Sequence, residues 1–454
     1  MRASGANELP YRSGLSGSDG SDVRQGPRIV FVAYYFPPVA GVASDRATAL
    51  SRHLGDLGWE PIVVTSQNGF YYHTASGEVI DTPVVRTRNV ELSRVMRALY
   101  TAGASSADDG QTVRPIKTRG VGNRLRALVR DFVYIPDAQI GWVPFAARAA
   151  IGLLRGLETR SVIYSTSVPY SAHLAAMLAA SRCQVPWVAE FRDPWSTARG
   201  PGHTPSRLRR RVNRAIEGWI VRTADHVVVT SEATRCDLLN AHRANPEHLS
   251  VVTNGFEPLP PREVPSAGSP MTILYAGTVA TGEDTGPVLA ALDAVEARTP
   301  GRFRLRVLGP SEAWLSDGQP ARAWLELGGV VSPMEAREAM ARASVLLLVR
   351  AHPTYRNILP GKLFEYVGAR RPIVAVCPAD AEMGAMLIRY ADVRFVPPQD
   401  PGHLTNTVEA LLAEHVNGAI QGPRVSESVT APLQRDRQAK QLAGIFESVI
   451  AQRN

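Results

Sequence analysis

The sequence predicts an α/β chain built from two doubly wound parallel-sheet domains that face each other across a cleft. Three observations support this. The chain has 454 residues, which suits two domains of about 200 residues each. Short apolar runs alternate with helix-spaced apolar patterns in both halves. A segment with five prolines separates the halves, so we predict domains at 27–256 and 271–432 and a linker at 257–270.

The first half repeats the strand–helix–strand pattern of a parallel sheet. A buried strand is followed by a helix whose apolar face includes Ala43, Ala47 and Leu50, and Gly58 ends that helix. Further helices are predicted at 171–180 and 205–223. The predicted strands span 28–34, 61–65, 161–164, 186–191, 226–230 and 250–252.

The second half repeats the pattern with clearer helix signals. Ser332 and Glu335 form a capping box with proline at the first helical position. A helix begins at Pro360-Gly361, and a last amphipathic helix lies within 433–454. The predicted strands span 272–275, 304–308, 345–349 and 373–376.

Two polar segments are predicted to lie outside the sheets. Residues 1–26 are rich in Ser, Gly, Asp and Arg and lack an apolar core, which indicates a disordered tail rather than a signal peptide. Residues 103–120 have a similar composition and are predicted to form a mobile excursion of the first domain.

Composition narrows the class of partner and the compartment. The net charge of +8 comes almost entirely from arginine, yet no nucleic-acid-binding module is evident, so we expect no nucleic acid. No apolar run approaches the roughly 20 residues of a membrane-spanning helix. The three scattered cysteines indicate buried thiols in a reducing compartment, so we predict a cytoplasmic location.

The segment after the strand at 345–349 carries the strongest chemical signal. A helix N-terminus with free N–H groups at Gly361 and a lysine at 362 predicts an anion site. Lysine occurs at only three positions of this chain, so Lys362 indicates that a compact charge is needed. Glu365 lies one turn later, where its carboxylate can accept hydrogen bonds from sugar or ribose hydroxyls. Phosphate and hydroxyl recognition side by side predict a nucleotide-sugar site.

Three other turns follow predicted strands of the first half. One runs from Tyr35 through Gly41 to Arg46, and it is not a dinucleotide fingerprint. A second contains His173, which either contacts a phosphate or sugar or is a structural histidine. A third is Arg192-Asp193-Pro194-Trp195, where Asp193 either binds an acceptor hydroxyl or pairs locally with arginine.

Two basic segments leave two interpretations open. The helix at 207–220 is arginine-rich and amphipathic, which fits either a membrane-surface helix or a solvated helix with one buried face. Residues 117–145 combine basic and aromatic side chains. The hypothesis is a basic rim that makes weak contact with an anionic membrane at its cytoplasmic, inner face.

These motifs, in this order, resemble the GT-B glycosyltransferases of family 4 over residues 28–451. The similarity rests on the following matches: Tyr35-Phe-Pro-Pro with Gly41, Phe191-Arg-Asp-Pro-Trp195, Asn254-Gly255-Phe256, Tyr275-Ala-Gly277-Thr278, and Pro360-Gly-Lys-Leu-Phe-Glu-Tyr366 with Arg371-Pro372-Ile373. The resemblance implies two Rossmann-like domains, a nucleotide-diphosphate sugar donor on the second domain and an acceptor on the first. It also implies retention of anomeric configuration, no cofactor or metal, and a final helix that crosses back to the first domain.

The resemblance assigns roles to particular residues. It implies a catalytic group of Lys362, Asp193, His173 and Asn357. It implies an acceptor site at Arg46, Arg192 and Trp195. It implies donor binding by Gly41, Gly277, Thr278, Arg350, Gly361, Leu363 and Glu365.

Two departures from the family pattern stand out. The family often has two glutamates separated by seven residues, the first near the donor sugar and the second at the ribose. Glu365 matches the second, and this chain has Asn357 at the first position. Many members carry basic residues after the Gly277 turn, and this chain has Glu283 and Asp284.

The leading hypothesis is a retaining hexosyltransferase-type enzyme that acts in cell-surface polysaccharide, glycolipid or glycosylated-metabolite biosynthesis. Its acceptor would be a sugar, a lipid-linked molecule or a small molecule. The alternatives are another GT-B enzyme, such as a sugar-nucleotide epimerase, or a non-catalytic nucleotide-sugar-binding protein.

Overall fold

A computed structural model describes residues 26–39, 41–67, 81–90, 134–155, 160–197, 206–259, 266–280, 282–315, 321–352, 358–420 and 422–453. Nearly all of the predicted tail, the excursion at 103–120 and Asn357 lie outside these residues.

Each domain contains one parallel sheet, as predicted. In the described residues the first sheet has the spatial order β3-β2-β1-β4-β5-β6-β7. Its strands are β1 (Arg28–Val32), β2 (Glu60–Ser66), β3 (Val84–Thr87), β4 (Ser161–Ser167), β5 (Trp187–Phe191), β6 (His226–Val229) and β7 (Leu249–Val251). The helices of this half are α1 (Val42–Asp56), α2 (Val143–Leu154), α3 (Ser171–Cys183), α4 (Arg207–Thr223) and α5 (Glu232–His242).

The second sheet has the order β10-β9-β8-β11-β12-β13 in the described part of the chain. Its strands are β8 (Met271–Ala276), β9 (Phe303–Leu308), β10 (Leu325–Gly329), β11 (Val345–Val349), β12 (Ile373–Val376) and β13 (Val393–Val396). Its helices are α6 (Gly286–Arg298), α7 (Pro333–Arg342), α8 (Gly361–Ala369), α9 (Glu382–Tyr390) and α10 (Pro401–Val416), followed by α11 (Glu427–Thr430) and α12 (Arg435–Arg453). The capping box of α7 forms as predicted, with Ser332 and Glu335 bonded reciprocally to backbone N–H groups.

Both sheets reverse their strand order at one point, which creates a crevice at the carboxyl ends of the strands. The reversal lies between β1 and β4 in the first sheet and between β8 and β11 in the second. The segments after β1, β8 and β11 are those that carry Gly41, Gly277 and Lys362. The fold therefore brings the strongest sequence motifs of both halves to crevices at strand ends.

The last helix belongs to the core of the first domain although it follows the second. Phe446 of α12 is fully buried and packs edge-on against Trp59 and Tyr164, with ring centroids 5.5 and 5.4 Å apart. At the start of α12, Gln434 forms a bridge with Phe256. A Cβ on Gly255 would lie 2.3 Å from the carbonyl oxygen of Leu433, so only glycine fits this crossing.

A second contact between the domains is made by a carboxylate. Glu382 at the start of α9 accepts a hydrogen bond of 2.7 Å from the backbone N–H of Glu232. That N–H is among the free donors at the N-terminus of α5, where a negative charge is favourable. Glu382 of the second domain thus supplies a hydrogen-bond acceptor for a backbone N–H at the start of α5 in the first domain.

Several elements and exposures differ from the sequence analysis. Among the elements that it did not predict, β3, β10 and β13 are edge strands or partly exposed, so their apolar patterns are weak. Cys377 is buried, but Cys236 is exposed, so the prediction that the cysteines are buried is wrong for Cys236. None of the helices in the described ranges combines the length and apolar character needed to cross a membrane.

Candidate functional site

An open cleft of about 250 Å³ lies between the two domains. The first domain contributes Gly41, Val42, Asp45 and Asn254 to its lining. The second domain contributes Gly277, Gly361, Lys362 and Glu365, and α12 adds Arg435. Four residues predicted from the sequence as donor-binding thus share one cleft.

The starts of α1 and α8 meet at this cleft. Gly41 precedes α1 with φ +131°, a conformation that L side chains rarely adopt. A Cβ on Gly361 would lie 2.7 Å from the methyl groups of Val42. Glycine at 361 therefore lets the two helix N-termini approach each other, while glycine at 41 permits the turn into α1. The N–H groups of both helix starts favour a shared anion.

Lys362 extends from the first turn of α8 toward the turn that follows β8. Its Nζ donates a hydrogen bond of 3.2 Å to the carbonyl oxygen of Thr278 and lies 3.9 Å from the centroid of the Tyr275 ring. Gly277 has φ +100°, and a Cβ there would lie 3.3 Å from the Lys362 side chain. Burial and the charge of Arg350 lower the pKa of Lys362 to about 7, against the opposing charge of Glu283.

Glu365 is held by two arginines from different parts of the chain. Its Oε1 accepts a bond of 3.0 Å from Arg435 Nη2, and its Oε2 lies 3.6 Å from Arg337 Nε. Burial raises the pKa of Glu365, and the two arginine charges oppose this shift. The carboxylate is thus fixed in position at the lining of the cleft, and its remaining lone pairs can accept further hydrogen bonds.

Arg46 also lines the cleft, and its guanidinium is held there in a buried ion pair. Its Nη2 and Nε donate to Glu190 Oε1 at 2.6 and 3.0 Å, and it also donates to the carbonyl oxygens of Val252 and Thr253. Thr166 donates to the other oxygen of Glu190 at 2.6 Å. The arginine thereby ties the ends of β5 and β7 to α1, and its predicted contact with an acceptor remains a prediction.

His173 is completely buried in the first domain. Its Nδ1 lies 2.9 Å from Ser165 Oγ, while Nε2 has no hydrogen-bond partner among the described residues. Burial lowers the pKa of His173 to about 3, so the ring is neutral near pH 7. This placement favours the structural interpretation, and the predicted ligand contact remains untested.

The predicted Arg192–Trp195 turn is held mainly by contacts within the first domain. Arg192 donates to the carbonyl oxygens of Ser167 and Val168, the latter at 3.0 Å. Trp195 is buried and stacks on Tyr170, with ring centroids 4.2 Å apart. Asp193 alone among the three predicted positions is exposed. It therefore stays the best placed of them for an acceptor.

Some predicted residues lie elsewhere, and others were missed. The side chain of Leu363 is fully buried in the second domain, so it does not face the cleft. Sequence analysis missed Asp45, Arg337 and Arg435, which line the cleft. These residues are far from α8 in the sequence, so no local motif links them to it. The one available signal is Glu365 itself, since a partly buried carboxylate needs cationic partners.

The described residues contain no group of three or more His, Cys, Asp or Glu side chains placed to hold a metal ion. Whether the reaction requires a metal is not tested by this observation, and the expectation that it does not remains a prediction.

Comparison with known proteins agrees with this architecture. Residues 41–255 match the family model described as Glycosyl transferase 4-like domain. TarM aligns with a TM-score of 0.61 at 10% identity, over 92% of this chain and 98% of TarM. A glycosyltransferase from Rickettsia africae ESF-5 aligns with a TM-score of 0.54 at 11% identity, over 94% of this chain and 99% of that one.

A third similar structure, from E. coli, is described as trehalose-6-phosphate bound with UDP-2-fluoro glucose. It aligns with a TM-score of 0.55 at 13% identity, over 92% of this chain and 98% of that one. No curated protein matches the sequence. The chain therefore has the GT-B fold, and its first half is similar to the glycosyl transferase 4-like domain, which agrees with the predicted resemblance.

Burial of the Arg46–Glu190 ion pair leads to a testable prediction about the free energy of unfolding. We expect Arg46→Met to lower the free energy of unfolding by about 3–5 kcal/mol, because it leaves the Glu190 carboxylate buried and unpaired. Urea unfolding followed by tryptophan fluorescence measures the change.

The matched control is Arg52→Met, which removes a half-exposed arginine of the same helix that pairs with Glu257. Such a surface pair contributes about 0–1 kcal/mol. Equal, small losses in the two variants would contradict a stabilising role for the Arg46–Glu190 pair.

Proposed function

We propose that this GT-B chain is a glycosyltransferase that moves a sugar from a nucleotide-diphosphate sugar to a hydroxyl acceptor with retention of configuration. The observation that carries the proposal is the position of Lys362 and the α8 N-terminus opposite Gly41 in one cleft. An ammonium and free N–H groups at one point suit a diphosphate.

The cleft offers complementary surfaces on either side of that point. Glu365 lies one turn into α8, where its carboxylate can accept bonds from ribose hydroxyls. Beyond it, Val331, Pro333, Ala336 and Met340 form an apolar wall that suits a nucleobase. The E. coli neighbour binds UDP-2-fluoro glucose, a ligand of the proposed donor class.

The chemistry follows from the charges near the diphosphate. When the sugar–phosphate bond breaks, negative charge grows on the leaving phosphate, and Lys362 with the α8 N–H groups stabilises it. In a retaining transfer the leaving phosphate oxygen itself takes the proton of the acceptor hydroxyl. This path needs no separate general base, which suits a first domain where His173 is fully buried and burial lowers its pKa to about 3, so that it is a weak base. It also needs no metal, since the positive charges come from the protein.

Two alternatives give different products in one assay. A glycosyltransferase releases a nucleoside diphosphate from the donor and transfers or hydrolyses the sugar. An epimerase would change the configuration of the sugar. A binding protein would leave the donor intact, and Glu283 beside Lys362 is the feature that favours this alternative, since it reduces the positive charge of the site. Mass spectrometry with NMR of donor incubations, with and without EDTA, separates the three and tests the metal.

We also propose that the enzyme meets its acceptor at a membrane surface. The solvent face of α4 presents Arg210, Arg211 and Arg214, and Leu208 and Trp219 at its edge are each 51% exposed. A basic face edged by apolar side chains suits the inner, anionic face of a membrane, where a cytoplasmic enzyme would meet a lipid-linked acceptor.

The rim differs from the predicted one at two described positions, Trp142 and Arg209. Trp142 is fully buried and donates a hydrogen bond of 2.7 Å to Thr87 Oγ1, so it cannot edge the rim. Arg209 is buried and donates a bond of 2.8 Å to the carbonyl oxygen of Tyr134, so it cannot face a membrane as predicted. Residues 117–133 lie outside the described part of the chain.

The lowered pKa of Lys362 predicts that donor binding depends on pH. We expect affinity for a nucleotide-diphosphate sugar to be highest below about pH 7 and to fall as pH rises, because the ammonium then loses its proton. Both phosphates of such a donor are esterified, so its own charge stays constant over this range. Calorimetry between about pH 6 and pH 9 measures the effect.

Two variants test whether Lys362 is the cause. Lys362→Arg keeps its charge throughout and should flatten the profile. Lys362→Ala should also be flat, and weaker than the wild type below about pH 7 by about 1.5–3 kcal/mol. A wild-type protein that binds as weakly as Lys362→Ala at every pH would remove Lys362 from the site.

The α4 face predicts salt-sensitive membrane binding. We expect the protein to co-sediment with anionic vesicles at low salt and to detach at high salt, with about 1 kcal/mol per arginine near the surface. Arg210→Glu with Arg214→Glu should abolish binding. The control, Arg304→Glu with Arg389→Glu, makes the same charge change on exposed positions of the second domain and should leave binding intact. Equal loss in both variants would indicate nonspecific charge attraction.

A further inference from the structure

Glu283 joins two loops at the reversal point of the second sheet. It lies between β8 and α6, and its Oε2 accepts hydrogen bonds from the backbone N–H groups of Ala351 (2.8 Å) and His352 (3.1 Å). Those two N–H groups follow directly after β11. One carboxylate oxygen therefore fixes the β8 loop to the β11 loop.

The other oxygen of this carboxylate is unsatisfied. Glu283 Oε1 is buried and has no hydrogen-bond partner among the described residues. A buried carboxylate oxygen without a donor is unfavourable, so such an atom calls for a donor that the structure lacks. A bound molecule with a hydroxyl hydrogen would supply it.

The carboxylate acts on the same small region as Lys362. Its charge raises the pKa of the Lys362 ammonium and of the Tyr275 hydroxyl, although burial dominates both shifts. A second anion here would repel a diphosphate, so Glu283 is unsuited to bind the phosphates themselves. Its partner is expected to be an uncharged polar group next to them.

The direction of α8 indicates which part of a donor reaches Glu283. If ribose lies at Glu365 and the diphosphate at Lys362, the ligand runs toward the N-terminus of α8. Along the chain, the loop that follows β11 leads to the N-terminus of α8, and Glu283 is bonded to the start of that loop. The group attached beyond the diphosphate is the transferred sugar.

We propose that Glu283 Oε1 accepts a hydrogen bond from a hydroxyl of the transferred sugar and so selects the donor sugar. The proposal rests on the proposed function. It gives a positive role to a residue that departs from the basic pattern expected after the Gly277 turn: the carboxylate contributes to sugar recognition, and Lys362 with the α8 N-terminus serves the phosphates.

The test compares binding of a diphosphate with binding of its sugar. Calorimetry is run with UDP, GDP, ADP and dTDP, each beside its glucose derivative, on wild type, Glu283→Gln and Asp284→Asn. For the pair that binds wild type, Glu283→Gln should weaken the sugar nucleotide about 10-fold or more, as expected for loss of a bond to a charged acceptor. It should leave the plain diphosphate unchanged or bind it more tightly, because a repelling charge is gone.

Asp284→Asn removes a charge from the adjacent, exposed residue and should change neither affinity. If Glu283→Gln changes the affinity for both ligands equally, or changes neither affinity, the proposal is overturned while the proposed function stays intact. Failure of wild type to bind any pair would overturn the proposed function and this inference with it.

A second measurement does not depend on the folding of a variant. Monodeoxy analogues of the bound glucose nucleotide are titrated into the wild-type protein. One of them should bind about 10-fold more weakly than the parent. That analogue should lose no further affinity in Glu283→Gln, because the same bond is already absent. If every deoxy analogue binds wild type as well as the parent, the proposal is wrong.

Discussion

The ion pair between Glu365 and Arg435, 3.0 Å long, is the interaction on which the geometry of the cleft depends. Glu365 belongs to α8 of the second domain, while Arg435 begins a helix whose apolar face completes the core of the first domain. Arg435 also donates to the carbonyl oxygen of Gly255 at the junction between the domains. Because this one guanidinium contacts the junction and α8 together, the N-terminus of α8 is held opposite Gly41 and Val42. The carboxyl ends of the two sheets consequently face a common space.

Charge within that space is nearly balanced, which shapes what it can bind. Lys362 meets an aromatic ring and a carbonyl oxygen, and Glu283 opposes part of its charge. Glu365 is neutralised by two arginines. A cleft of this kind has few unpaired charges to attract ligands at long range. Affinity must then come from short contacts at defined positions, such as the α8 N–H groups for phosphate and fixed carboxylates for hydroxyls. This favours a ligand with several different polar groups in a set order, such as a nucleotide-diphosphate sugar.

The sequence predicts what depends on neighbours along the chain. Apolar runs gave β11 and β12 with their observed bounds, and Pro360-Gly361 correctly predicted the start of α8. The pairings of distant residues could not be predicted, because no local pattern states which carboxylate an arginine meets. Arg46 lines the cleft, where an acceptor contact is predicted, yet the sequence does not reveal that its guanidinium pairs with Glu190, 144 residues away. In the sequence Glu283 is only a departure from the basic pattern expected after the Gly277 turn, since its bonds to residues 351 and 352 exist only in the folded chain. Arg209 is a further example. Its burial in α4 depends on residues distant in the chain that pack against the helix, and the helical pattern does not identify them.

The most direct test of the account is whether the cleft selects one nucleotide-diphosphate sugar. A thermal-shift screen of the wild-type protein against nucleoside diphosphates and their sugars measures this without knowledge of the acceptor. A ligand that binds only the folded state stabilises it by mass action, by about 2.7 kcal/mol at 100 times its dissociation constant. The account predicts that the midpoint of unfolding rises with one nucleotide base and not with the others. A midpoint that no nucleotide moves, or that all move equally, would contradict it.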